Sequence, residues 1–166
     1  MATYIWGVLC RRAIVDQPTN SVSYIDMLEG LLPPRLPVPA PLIIAATLWR
    51  REEGDRDTLE VRARVESPDG VTLASDSVVL HMEPRHKRGR INIGLAGYEL
   101  SSSGRHEFVI EQRLRGQWRE AARLPFDIEP RSDETAVSAP SFGAERARRS
   151  GTRRATTQRA GGQSTP

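Results

Sequence analysis

The sequence is short of the residues that mark most activities. It has one cysteine, Cys10, and one lysine, Lys87, among 166 residues, and aromatics make up 5%. A lone thiol forms no intramolecular disulfide, so the fold must hold without staples, which fits a reducing compartment. No apolar run reaches the roughly 18 residues of a membrane span. The stretch Met1–Arg12 places its positive charges after a short apolar run, the reverse of a secretion signal. The expectation is a cytoplasmic protein with no membrane segment. A Gly-x-Ser-x-Gly elbow, a phosphate loop and a dinucleotide fingerprint are all missing. No cofactor is expected, and the chain reads as a non-enzyme.

What is present is β pattern. Leu59, Val61, Ala63 and Val65 alternate with Glu60, Arg62, Arg64 and Glu66, one apolar face against one charged face. The charged face reads as cross-strand ion pairing. The same period recurs at Ile91–Leu95 and Leu124–Ile128, and less cleanly at Phe108–Leu114. Leu42–Trp49 is apolar on both faces except at Thr47. It suits a doubly buried strand or a short helix, and its β-branched content favours the strand.

Ser67-Pro68-Asp69-Gly70 predicts a type I turn joining strands at 58–66 and 71–80. Arg115-Gly116 predicts a turn between 105–114 and 117–128. The proline-rich run Pro33–Pro41 lacks the donors for a sheet interior and reads as an extended crossover. About eight short strands and no amphipathic helix predict an all-β fold, an antiparallel immunoglobulin-like β-sandwich, with a closed barrel as the alternative.

Several stretches also resemble a known family. They are the strand ending at Leu9-Cys10, Ala13–Asp16, Val22–Ile25, Val65–Gly70, and Leu100–Gly104 running into Arg105–Ile110. This order is similar to a family of uncharacterised bacterial domains expected to fold as immunoglobulin-like sandwiches. The resemblance covers residues 3–129. It implies the fold and carries no activity. His106 departs from it, standing where tyrosine is usual.

Charge divides the chain. Residues 1–130 hold 17 cationic and 18 acidic side chains, whereas 131–166 hold seven and three. The net charge of +3 therefore belongs to the C-terminal part. That part has only Val137 and Phe142 as large apolar residues, too few to offset the entropy of ordering it. It predicts a β domain over 1–130 and a disordered tail over 131–166.

Two basic clusters are candidate polyanion contacts. One is Arg85, Lys87, Arg88 and Arg90, on a loop able to hold a phosphate or an acidic surface. The other is Arg146, Arg148, Arg149, Arg153 and Arg154 of the tail, an electrostatic footprint for nucleic acid that lacks interleaved aromatics. His81, Glu83 and His86 sit among cations that oppose a metal site. Cys10 reads as inert packing, Tyr98 as a candidate tyrosine corner, and Trp6, Trp49 and Trp118 as core or interface anchors. The expected role is binding or scaffolding through an unidentified protein partner. Polyanion binding is the alternative, and an unrecognised hydrolase a third.

Overall fold

A computed structural model of the chain describes residues 2–131 apart from Arg56 and Pro84. The tail expected beyond Arg131 lies outside the described residues. All regular structure among them is β: β1 (Thr3–Asp16), β2 (Ser21–Met27), β3 (Gly30–Leu31), β4 (Val38–Pro39), β5 (Ile43–Arg50), β6 (Thr58–Glu66), β7 (Thr72–His81), β8 (Arg88–Leu95), β9 (Glu99–Leu100), β10 (Gly104–Leu114) and β11 (Gln117–Ile128). They form a four-stranded sheet in the order β2-β1-β5-β8, a five-stranded sheet in the order β3-β11-β10-β6-β7, and a small β4-β9 pair. The pairings are antiparallel except for β3 with β11.

Both large sheets contribute to one buried cluster. Leu9, Ile43, Ala45, Trp49, Ile91 and Ile93 come from the first, and Val61, Ala63, Val65, Phe108, Ile110 and Phe126 from the second. The alternation in β6 is followed residue by residue: Leu59, Val61, Ala63 and Val65 are buried and their charged neighbours are not. Of the run Leu42–Trp49, all but Leu42 lies in a strand, with five buried residues in β5. Its polar exception is satisfied internally, since Trp49 Nε1 donates to Thr47 Oγ1 (2.9 Å) and Thr47 Oγ1 donates to the Ile91 carbonyl (3.1 Å).

The predicted turns form. The Gly70 N–H donates to the Ser67 carbonyl at 2.9 Å. Arg115 and Gly116 both take positive φ, 50° and 84°, as a two-residue hairpin turn of the I′ type requires. The proline-rich run differs from expectation in one respect. Val38–Pro39 makes a two-residue ladder with Glu99–Leu100, and Ala40 exchanges backbone hydrogen bonds with Gly97 and Tyr98. Its prolines cost donors, so pairing stops after two residues.

β1 serves two partners. Thr3–Cys10 pairs with β5, and Cys10–Asp16 with β2. A straight β1 would carry the β1–β2 turn about 20 Å past Cys10. Instead Arg90, which lies level with Trp6 across β5, donates from Nη1 to the carbonyl and Oδ1 of Asn20 in that turn, both at 3.1 Å. Tyr24 of β2 also meets Trp6 edge-on, with ring centroids 5.6 Å apart. The ribbon therefore folds back across the outer face of its own sheet. That accounts for the complete burial of Cys10 and Ala46 on a face that would otherwise be wet.

Candidate functional site

The structure separates the four cations of the basic loop. Arg85 pairs with Glu83 through Nε at 2.7 Å, with both side chains exposed. Arg90 is committed to Asn20. Lys87 and Arg88 are exposed and have no ion-pair partner among the described residues. The tail candidates Arg146, Arg148, Arg149, Arg153 and Arg154 lie outside the described residues. No group of three or more His, Cys, Asp and Glu side chains is arranged to hold a metal ion among the described residues.

The outer face of the five-stranded sheet carries a linked set of ion pairs. Glu111, 10% exposed at its side chain, accepts from Arg62 (2.7 Å) and Arg64 (3.3 Å). Arg64 also pairs with Glu66. Glu66 and Glu107 stand directly opposite each other in the β6–β10 register, a repulsive placement on its own. Arg123 resolves it, reaching Glu66 (2.8 Å), Glu107 (2.7 Å) and Glu120 (2.8 Å). Its hydrogen bond to Glu120 holds that carboxyl below the ordinary range. Val109 is completely buried and has Arg64 and Arg123 as its register partners on either side. Trp118 closes one end of the set, with the Arg62 guanidinium 4.5 Å and the Arg113 guanidinium 5.9 Å from the ring centroid. Alternating charge on β6 pointed to this face, and the charges satisfy one another.

Tyr98 does not make a tyrosine corner. That motif needs the hydroxyl bonded to nearby backbone, and Tyr98 Oη is buried with no hydrogen-bond partner among the described residues. Burial accordingly pushes its pKa up. His106 is fully buried against Phe126, with Nδ1 3.1 Å from the Gly104 carbonyl and Nε2 without a partner among the described residues. The Cys10 thiol is raised by the same desolvation, which suppresses thiolate chemistry.

A cleft of about 520 Å³ opens at the β10–β11 turn and escaped sequence reasoning. Gln112 and Leu114 continue the core-facing row of Phe108 and Ile110. A bulge in β11 opposite Ile110/Glu111 shifts the register, so Arg119 faces Gln112 across the hairpin, on the core side. The opposite wall is the 51–57 loop. Arg51 pins it, donating to the carbonyls of Met82 (2.9 Å) and Asp55 (2.8 Å) and to Asp57 Oδ1 (2.6 Å).

Compared with known proteins, the chain matches no family model and no curated sequence.

Proposed function

We propose that this chain is a non-enzymatic binding module, an immunoglobulin-like β-sandwich acting through protein–protein contacts in a bacterial cytoplasm. Support for the architecture comes from two large sheets sharing one core. The buried, unpaired thiol supports the reducing compartment.

The observation that carries the binding reading is the exposed surface of the β1–β2 ribbon. β2 is an edge strand, with β1 as its one strand partner among the described residues. Ile14 is 52% exposed and Met27 64%. Apolar side chains beside an open edge are what an added strand or an apolar partner surface uses. The test is affinity capture from the native cell with the full-length protein and two variants. Proteins bound by the wild type should be lost with I14E/M27E and retained with K87E/R88E. Retention of the same set by I14E/M27E, with its circular dichroism unchanged, overturns the reading.

A second reading is polyanion binding, favoured by the unpaired Lys87 and Arg88. Arg85 and Arg90, and Arg146, Arg148, Arg149, Arg153 and Arg154 of the tail, complete that proposal. A salt titration of duplex DNA binding measures it. The log–log slope should fall by about two when Lys87 and Arg88 become Gln, and further when the five tail arginines do. A slope that both changes leave untouched ends this reading.

A further inference from the structure

The cleft at the β10–β11 turn combines three features that bear on a ligand. Its floor is apolar, built from Leu59, Met82 and Leu114. Into that floor is set Gln112, only 7% exposed, whose side-chain amide makes no hydrogen bond to the described residues. Its amide atoms are not among the fully occluded orphans, so the group opens to the cleft rather than into the core. Its row mates Phe108 and Ile110 are apolar and completely buried, which makes a polar side chain at the end of that row a costly choice unless something meets it.

The rim is cationic and uncommitted. Arg115 stands on the hairpin turn with no ion-pair partner among the described residues. Among the described residues, Arg119 has only a long 3.5 Å contact to Gln117 Oε1. The remaining arginine, Arg113, is held by Glu60 and Trp118. Of the described acids on the opposite wall only Asp55 lines the cleft; its Oδ2 accepts the Glu52 N–H at 2.8 Å, and it stands as one carboxylate against three arginines. The local balance is therefore positive, beside an amide able to donate.

We infer that this cleft binds an organic anion with an apolar body and one carboxylate or phosphate head. The body lies on Leu59, Met82 and Leu114. The head takes Arg115 and Arg119, whose guanidinium forks match either oxyanion in a bidentate manner. Gln112 supplies the directional hydrogen bond at the junction. The cleft volume is in the range of small-molecule sites. Arg119 belongs to the site only because of the β11 bulge; with regular alternation it would lie on the outer face beside Arg123.

The test is an amide-resolved NMR titration of the full-length protein with hexanoate and with phenyl phosphate. Hexanol and inorganic phosphate serve as controls. Saturable shifts are expected at the Gln112 side-chain amide and the Gly116 backbone amide, with one or both organic anions. Which anion saturates assigns the head group. Affinity should fall at least about tenfold in R115Q/R119Q and stay unchanged in K87Q/R88Q. The inference is overturned if neither anion saturates at these amides, if R115Q/R119Q binds as the wild type does, or if hexanol binds as well as hexanoate. Equal binding of inorganic phosphate overturns it too, because the apolar floor would then contribute nothing.

Discussion

Replacing Glu111 by Gln isolates the ion pairs of the outer face with almost no change of shape. The carboxylate is 10% exposed and faces Arg62 and Arg64, whose side chains are 30% and 21% exposed. Removing one partner of a fully buried pair costs roughly 3–5 kcal/mol, whereas an exposed pair is worth about 0–1 kcal/mol. The site lies between these limits. Gln retains one acceptor oxygen for Arg62 but leaves that half-buried guanidinium without an anion and Arg64 with Glu66 alone. The expected loss is about 2–3 kcal/mol. For a domain of this size that lowers Tm by roughly 6–12 °C, and the urea midpoint by about 1 M at constant m. A triple replacement of Arg62, Arg64 and Glu111 by Met should lose less than E111Q alone, since no charge is then stranded. Urea unfolding followed by circular dichroism reads all three proteins. An E111Q midpoint within about 0.3 M of the wild type refutes the view that Glu111 is what makes this crowded row of arginines tolerable.

Arg123 supplies the pH dependence. Glu120 titrates below its ordinary value of 4.5, first because of the Arg123 hydrogen bond. A depressed folded value means that the stability it contributes is present above the unfolded pKa and is lost as pH falls through the folded one. R123M should therefore be less stable than the wild type at pH 6, with the gap closing below about pH 4.5; a gap constant down to pH 3 contradicts this. T47V keeps the side-chain shape but strips Trp49 Nε1 of its acceptor in the core, so it should cost about 1–3 kcal/mol in urea unfolding, and a neutral result would place that indole N–H on another partner.

The hairpins were legible because local chemistry decides them. Ser67-Pro68-Asp69-Gly70 and Arg115-Gly116 set their turns through backbone preference alone, and the alternation of Leu59–Glu66 assigned each side chain its face. Phe108–Leu114 alternates poorly in sequence for a reason visible only in three dimensions. Its outer face is buried too, at Val109 and Glu111, between the neighbouring strands β6 and β11. The cleft was hidden for a related reason. A bulge has no sequence mark as clear as a turn has, yet it decides which side of the sheet Arg119 occupies. Four cations between Arg85 and Arg90 looked equivalent as a string, but Arg90 is drawn away by Asn20, 70 residues distant in the chain.

The double pairing of Cys10 has a consequence for local opening. The folded-back ribbon is fastened at its far end by one guanidinium, that of Arg90, and near Trp6 by one aromatic contact. Between these fastenings and Cys10 it shares no ladder with β5 or β8. Lifted as a flap about Cys10, it would break neither the β1–β5 nor the β5–β8 ladder. The only thiol of the protein sits at that hinge, fully covered when the flap is down. Thiol labelling under native conditions should follow the flap, and R90A, by releasing the latch, should speed it without lowering the urea midpoint in proportion.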